Sequence, residues 1–195
     1  MTNRTAEFES DPLGFMEKYQ MAGLGFTGGN LAVQWMSVEE DSGYFQLNHI
    51  KNPKEKRSAQ FYLLGWESGK TFVGQLGWSA RYFFTGPFSG CSFGLGGSWM
   101  FPTVGHSNIN KTGGNMFQSA GMDFDAMDKS LRKELTSNGY VHVDGKAGIT
   151  VIKSGGGDTS RPDEFYIFGW RWYGFWYFYQ VDKFGLKGQR VRKLI

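Results

Sequence analysis

The sequence predicts an α+β domain: a layered β-sandwich of mixed and antiparallel sheets flanked by a few helices. Aromatic residues make up 17% of the 195 positions, 29 positions are glycine, and short β-favouring runs recur between turn-forming groups along most of the chain. Flat side chains suit a pleated surface and glycines suit tight turns, whereas both weaken long helices. A chain of this length makes one domain, so residues 1–195 are read as a single unit.

Two helices carry their own start signals. Asp11-Pro12 reads as an N-cap followed by a first-turn proline, opening a helix through Phe15, Met16 and Tyr19 to a glycine stop at Gly23. The second spans Asp123 to Asn138, with Met127, Leu131 and Leu135 on one face and Gly139 as the stop. Both read as amphipathic covers for a sheet. Strands are expected at Leu31–Val38, Gly43–Ile50, Ser58–Trp66, Thr71–Leu76 and Ser79–Thr85, separated by turn groups and paired as antiparallel hairpins. Tyr140–Val143, Gly148–Lys153, Glu164–Trp172 and Phe175–Asp182 continue the pattern, the first pair turning at Asp144-Gly145. Residues 154–160 form a glycine-rich loop.

Charge excludes some functions. With 21 Lys plus Arg against 18 Asp plus Glu, scattered along the chain, no nucleic-acid footprint is built. The basic tail Lys187, Arg190, Arg192, Lys193 reads as a solvated terminus. One cysteine, Cys91, rules out an internal disulfide. Residues 1–9 hold no apolar stretch of the kind a classical signal peptide needs. The most apolar segment, Phe165–Val181, is broken by Arg171, so no spanning helix and no stable membrane association are expected.

Two apparent motifs carry no chemistry. Gly65-Trp66-Glu67-Ser68-Gly69-Lys70-Thr71 imitates a phosphate-binding loop but is one residue short between its glycines, and Thr71-Phe72-Val73 continues as a strand; it reads as a hairpin turn. His49, His106 and His142 show no metal-ligand spacing with the cysteine, and no metal or cofactor is expected.

Residues 79–110 are different, because the single thiol lies there and His106 follows it by 15 residues. Two strands joined by a turn at Gly94, Gly96 and Gly97 would set Cys91 beside His106. An imidazole within reach of a thiol can hold it as thiolate, the nucleophile of acyl transfer. Ser89, Gly90 and Ser92 flank the cysteine, and backbone amides here could face a developing oxyanion. The competing reading is a buried, inert cysteine packed between Phe88 and Phe93.

The run Phe83-Phe84-Thr85-Gly86-Pro87-Phe88-Ser89-Gly90-Cys91 resembles the Phe-Phe-Thr…Leu-Ser-Gly-Cys segment of glutamine deamidase toxins of the cytotoxic necrotizing factor and Burkholderia lethal factor type. The order Thr85, Cys91, His106, with threonine six residues before cysteine, is also similar to that of the chemoreceptor deamidase CheD. The likeness covers roughly residues 59–108 and departs at Phe88, where the motif has leucine. The resemblance implies a deamidase-like catalytic domain with Cys91 as nucleophile, His106 as acid and base, and Thr85 orienting the imidazole. Asn108 is a rival orienter, by analogy with Cys-His-Asn proteases. It further implies a secreted or injected bacterial effector, acting as a monomer in a host cytosol without a cofactor. Its partner would be a host protein, with Rho-type GTPases and a translation-initiation helicase as family precedents. Recognition is then expected on loops near the Cys91 rim, at Gly113-Gly114, residues 154–161 and Trp99.

Two other classes fit parts of the chain. An aromatic-rich binding module would stack a carbohydrate or protein on Trp170, Trp172, Tyr173, Trp176 and Tyr177, leaving Cys91 inert. A cysteine peptidase or amidase would use the same thiol, although papain-like enzymes place their histidine much further downstream.

Overall fold

A computed structural model describes residues 1–24, 29–54, 56–109, 123–137, 150–153, 164–183 and 189–194. The elements in order are β1 (Thr2–Asn3), α1 (Thr5–Ser10), α2 (Pro12–Lys18), β2 (Gln20–Leu24), β3 (Ala32–Asp41), β4 (Tyr44–His49), β5 (Ala59–Leu64), β6 (Lys70–Gln75), β7 (Tyr82–Phe88), β8 (Ser92–Gly97), β9 (Pro102–Asn108), α3 (Phe124–Ser137), β10 (Thr150–Lys153), β11 (Glu164–Trp172), β12 (Phe175–Lys183) and β13 (Gln189–Lys193). The protein is therefore α+β and dominated by sheet. The anticipated turn at Asp144-Gly145, the strand at Tyr140–Val143, His142, Gly113-Gly114, Gly139 and the loop 154–160 lie outside the described residues.

Among the described residues, nine strands form one mixed sheet in the order β13-β12-β11-β7-β5-β3-β4-β2, with β1 added against β3. Its two ends are tied together: Gln189 on β13 accepts from the Met21 amide on β2 at 2.8 Å and donates to the Met16 carbonyl at 2.7 Å. The sheet is thus close to a barrel. A second, antiparallel sheet runs β10-β8-β9-β6.

Period-two alternation explains how the layers meet. On β5, β7 and β11, Phe61, Leu63, Tyr82, Phe84, Tyr166 and Phe168 fill the hollow of the first sheet, joined by Phe8 and Phe15 from α1 and α2. The intervening Tyr62, Leu64, Phe83, Phe165 and Ile167 point the other way and pack with Phe93, Leu95 and Val104 of the second sheet. All three strands are buried on both faces, as near-continuous apolar runs require. The outer face of the second sheet is covered by α3 through Met127, Leu131 and Leu135, all fully buried.

Local signals placed α2 and α3. Asp11 caps α2 by accepting from the Gly14 amide at 3.0 Å, and Asp123 caps α3 through the Ala126 amide at 3.0 Å. Several expectations need correction. The first helix stops at Lys18, because Gln20 onward pairs in parallel with β4, and Gly23 lies in that strand. The strands are not all hairpins: β5 pairs in parallel with β7, and β6 crosses to the second sheet, so the loop at Gly65–Lys70 joins two sheets. Gly94 and Gly96 lie inside β8, and the turn before β9 is Ser98–Phe101. The basic tail is not idle, since Arg190 and Arg192 approach the fully buried Asp182 carboxylate at 3.0 and 2.8 Å. Burying that carboxylate unpaired would be costly, so β13 supplies its countercharge.

The glycines of β8 and β9 serve as a floor for α3. A Cβ at Gly94 would lie 3.0 Å from Leu135 Cδ1, and one at Gly105 would lie 2.6 Å from Leu131 Cδ2 and 3.2 Å from Val73 Cγ1. Gly105→Val is expected to lower stability by about 1–3 kcal/mol by lifting α3. Urea midpoints would show the loss, and adding Leu131→Ala should restore part of it; an unchanged midpoint for Gly105→Val alone would mean that α3 is not seated there.

Candidate active site

Thr85 and His106 meet in the layer between the two sheets, and Cys91 packs in the same layer. Thr85 follows Phe83 and Phe84 on β7, so alternation turns it to the same face as Phe83, toward the second sheet. His106 on β9 is the register partner of Phe93 on β8. Cys91 stands two residues before Phe93, just ahead of β8, and packs in the same apolar cluster as Phe88 and Phe93.

The hydroxyl of Thr85 bridges the sheets. Its Oγ1 donates to the Leu64 carbonyl at 2.8 Å and lies 2.9 Å from His106 Nδ1. A carbonyl can only accept, so the single hydroxyl proton is spent on Leu64, and Oγ1 must accept from Nδ1–H. The imidazole is thereby fixed as the Nδ1–H tautomer, with its lone pair on Nε2. Nε2 is buried and has no hydrogen-bond partner among the described residues. A buried acceptor without a partner is costly, and such atoms mark sites that await a proton or a ligand.

Aromatic rings hold the imidazole from the side. Phe88 stacks on His106 with centroids 4.0 Å apart and planes 16° apart, and Phe165 stacks in turn on Phe88 at 4.7 Å. Phe88 is the point of departure from the motif that the sequence resembles, and the larger ring makes this stack. Asn108 is 6% exposed, with Oδ1 buried and without a partner among the described residues; it makes no hydrogen bond to the ring, whose Nδ1 is held by Thr85. Ser89 is exposed and Gly90 buried beside the thiol. The Ser92 hydroxyl donates to Met127 Sδ at 3.5 Å, so its side chain serves the α3 face of the sheet.

Electrostatics corrects the expectation of a preformed thiolate. Burial pushes the Cys91 thiol up to about 12 and the His106 imidazole down to about 3. No hydrogen bond joins Cys91 to His106 Nε2. The resting pair is a neutral thiol and a neutral imidazole, because an apolar layer disfavours both charges. Iodoacetamide should accordingly modify Cys91 in the folded protein on the order of a hundredfold more slowly than in the unfolded chain at neutral pH, with a rate still climbing at about pH 10. A midpoint below that of an ordinary thiol would establish an ion pair instead.

Other sequence-predicted residues fall elsewhere. Trp176 is 1% exposed and belongs to the inter-sheet core, and Trp170 is partly buried, so neither serves an exposed stacking platform. Trp99 sits in the β8–β9 turn, beyond Gly97 and some six strand residues from Cys91, roughly 20 Å away at the rise of a strand. It does not lie on the Cys91 rim. The sequence reading missed the Leu64 carbonyl, which no side-chain pattern could reveal, and the stacking role of Phe88.

The chain matches no protein-family model, and no curated protein matches it closely enough to count as a relative.

Proposed function

We propose that the protein is a protein-glutamine deamidase whose nucleophile is Cys91, with His106 as the proton carrier and Thr85 as the group that sets its tautomer. The observation that carries this reading is the relay from the Leu64 carbonyl through Thr85 Oγ1 to His106 Nδ1, which leaves the Nε2 lone pair free in the layer that also holds Cys91. The resemblance to deamidase toxins, which covers roughly residues 59–108, agrees with the same three residues.

The chemistry follows from that tautomer. As the substrate carboxamide arrives, the Sγ proton passes to Nε2 while sulfur adds to the amide carbon. The C–N bond then breaks, the leaving nitrogen takes the proton from Nε2, and ammonia departs from a thioester. Water gives a proton to Nε2 and its oxygen to the acyl carbon. The C–S bond breaks, the proton returns to sulfur, and a glutamate side chain is released. Backbone amides around Cys91 are the candidate oxyanion donors. Cys91 is 4% exposed, so the carboxamide reaches Sγ only when a neighbouring group swings aside.

The substrate is a host protein, and the protein acts as an effector in a host cytosol; GTPases and initiation helicases are the first candidates on the strength of the resemblance. The test is a peptide-level mass-spectrometric search for glutamine-to-glutamate conversion in eukaryotic cell extract treated with wild type or Cys91→Ser. Conversion of a defined glutamine by the wild type alone is expected. Identical peptides from both treatments would overturn the assignment.

A further inference from the structure

At the pole opposite Cys91, three loops bring their tips together. These are residues 76–81 between β6 and β7, Ser98–Phe101 between β8 and β9, and the β11–β12 turn at Tyr173-Gly174. They are latched to one another. Arg171 donates to the carbonyls of Gly77 and Trp78 at 2.8 and 3.1 Å, and its guanidinium lies 4.5 Å from the Trp78 ring centroid. Trp78 meets Phe101 edge-on at 5.8 Å, and the Trp176 amide donates to the Trp99 carbonyl at 2.8 Å.

The tips are apolar and exposed. Trp78, Trp99, Met100, Phe101, Trp172 and Phe175 all present large surfaces to solvent, and Tyr173 is 85% exposed. Scattered exposed apolar residues need no explanation, but a contiguous set on adjoining loops does. The charge is one-sided: residues 76–81, 98–101 and 170–175 contain Arg81 and Arg171 and no Asp or Glu. Glu9, which lines the cleft behind Arg81, is paired with Arg57 at 3.3 Å.

Tyr173 is also held at an unfavourable backbone angle. Its φ is 48° and that of Gly174 is 88°, the two positive values of a type I′ hairpin turn. Asn-Gly is the preferred pair there, and a bulky aromatic in the first position costs stability. The ring recovers little by packing: it is 85% exposed, and it meets the edge of Trp172 at a centroid distance of 4.9 Å. A strained, exposed aromatic at the outermost tip is the kind of local cost that function sustains.

We propose that this pole is a reversible docking surface for a lipid bilayer carrying anionic headgroups. Trp and Tyr sit at the membrane interface, where one end of each ring is apolar and the other wet, and Met and Phe supply buried apolar area. Arg81 and Arg171 complement the negative surface. A carbohydrate ligand fits less well, because the three loops offer no carboxylate or carboxamide for paired hydroxyls, and Gln75 beside them donates to the Phe101 carbonyl. The contact is peripheral, and it is independent of the Cys91 chemistry.

The experiment is co-flotation of the full chain with phosphatidylcholine vesicles containing about one-third phosphatidylserine, followed by tryptophan fluorescence. Wild type should float with these vesicles with a blue-shifted emission, and binding should fall roughly tenfold on pure phosphatidylcholine or at high salt. Tyr173→Asn supplies the turn's preferred residue, so its melting temperature should rise by roughly 1–3 °C while its partition falls about tenfold. Met100→Ser, at an exposed position in a second loop, should lower partition without changing the melting temperature. Three results overturn the proposal: no flotation of wild type, flotation of both variants equal to wild type, or a wild-type dimer that Tyr173→Asn dissolves. The last would reassign the pole as an interface between copies of this chain.

Discussion

Cys91→Ser and His106→Ala are each expected to reduce glutamine-to-glutamate turnover by at least roughly a thousandfold, and the double variant to be no worse than either single one. The thiol and the imidazole act in one transition state, so removing either leaves the other without a task. Thr85→Val tests the relay. Valine keeps the shape and removes the acceptor, leaving Nδ1–H and the Leu64 carbonyl without their shared partner in a layer where Thr85 and His106 are fully buried. The ring then has no reason to keep its lone pair on Nε2, and kcat should fall by roughly 10–100-fold with KM little changed, while Thr85→Ser retains most activity. Full activity in Thr85→Val would show that another group orients the ring. Retained activity in His106→Ala, with a melting temperature like that of wild type, would remove His106 from the mechanism.

The sequence showed what is local and concealed what is long-range. The caps at Asp11 and Asp123, the apolar stripe of α3 and the strands β3, β4, β11 and β12 were legible because each writes its period and its punctuation into adjacent residues. The assignment of each strand to its sheet was not, because it depends on tertiary pairing, which sends β6 to β9 and β5 to β7. Abundant glycine predicts turns, yet Gly94 and Gly105 stand in mid-strand where α3 needs clearance. Short helix α1 leaves no signal in the sequence, because its six residues carry no side-chain cap. At the site, the spacing of Thr85, Cys91 and His106 was legible, but their protonation was not. That depends on how completely Phe88, Phe93 and Phe165 exclude water, which is a property of the packed layers and not of the motif.

Acidification is expected to destabilise the protein through His106 by about 1.4 kcal/mol for each pH unit between about 6.5 and 3. Burial holds the folded imidazole neutral down to about 3, whereas the unfolded chain takes the proton near 6.5. Between those values the unfolded state binds one proton more, so stability is present above about 6.5 and drains away as pH falls. Carboxylates add to the same slope: the Lys18 hydrogen bond holds Glu7 low, and at Glu39 burial is outweighed by Lys56 and Ser37. Cys91 acts at the other end, losing stability only as pH rises above about 9. Urea midpoints of wild type and His106→Gln from pH 7 to pH 4 separate these contributions, because the carboxylates are common to both proteins. The wild type should lose ground to the variant by about 1.4 kcal/mol per unit. Parallel curves would mean that the folded imidazole takes its proton as readily as the unfolded one, so that the apolar layer does not hold it neutral and the Nε2 lone pair is already protonated below about pH 6.5.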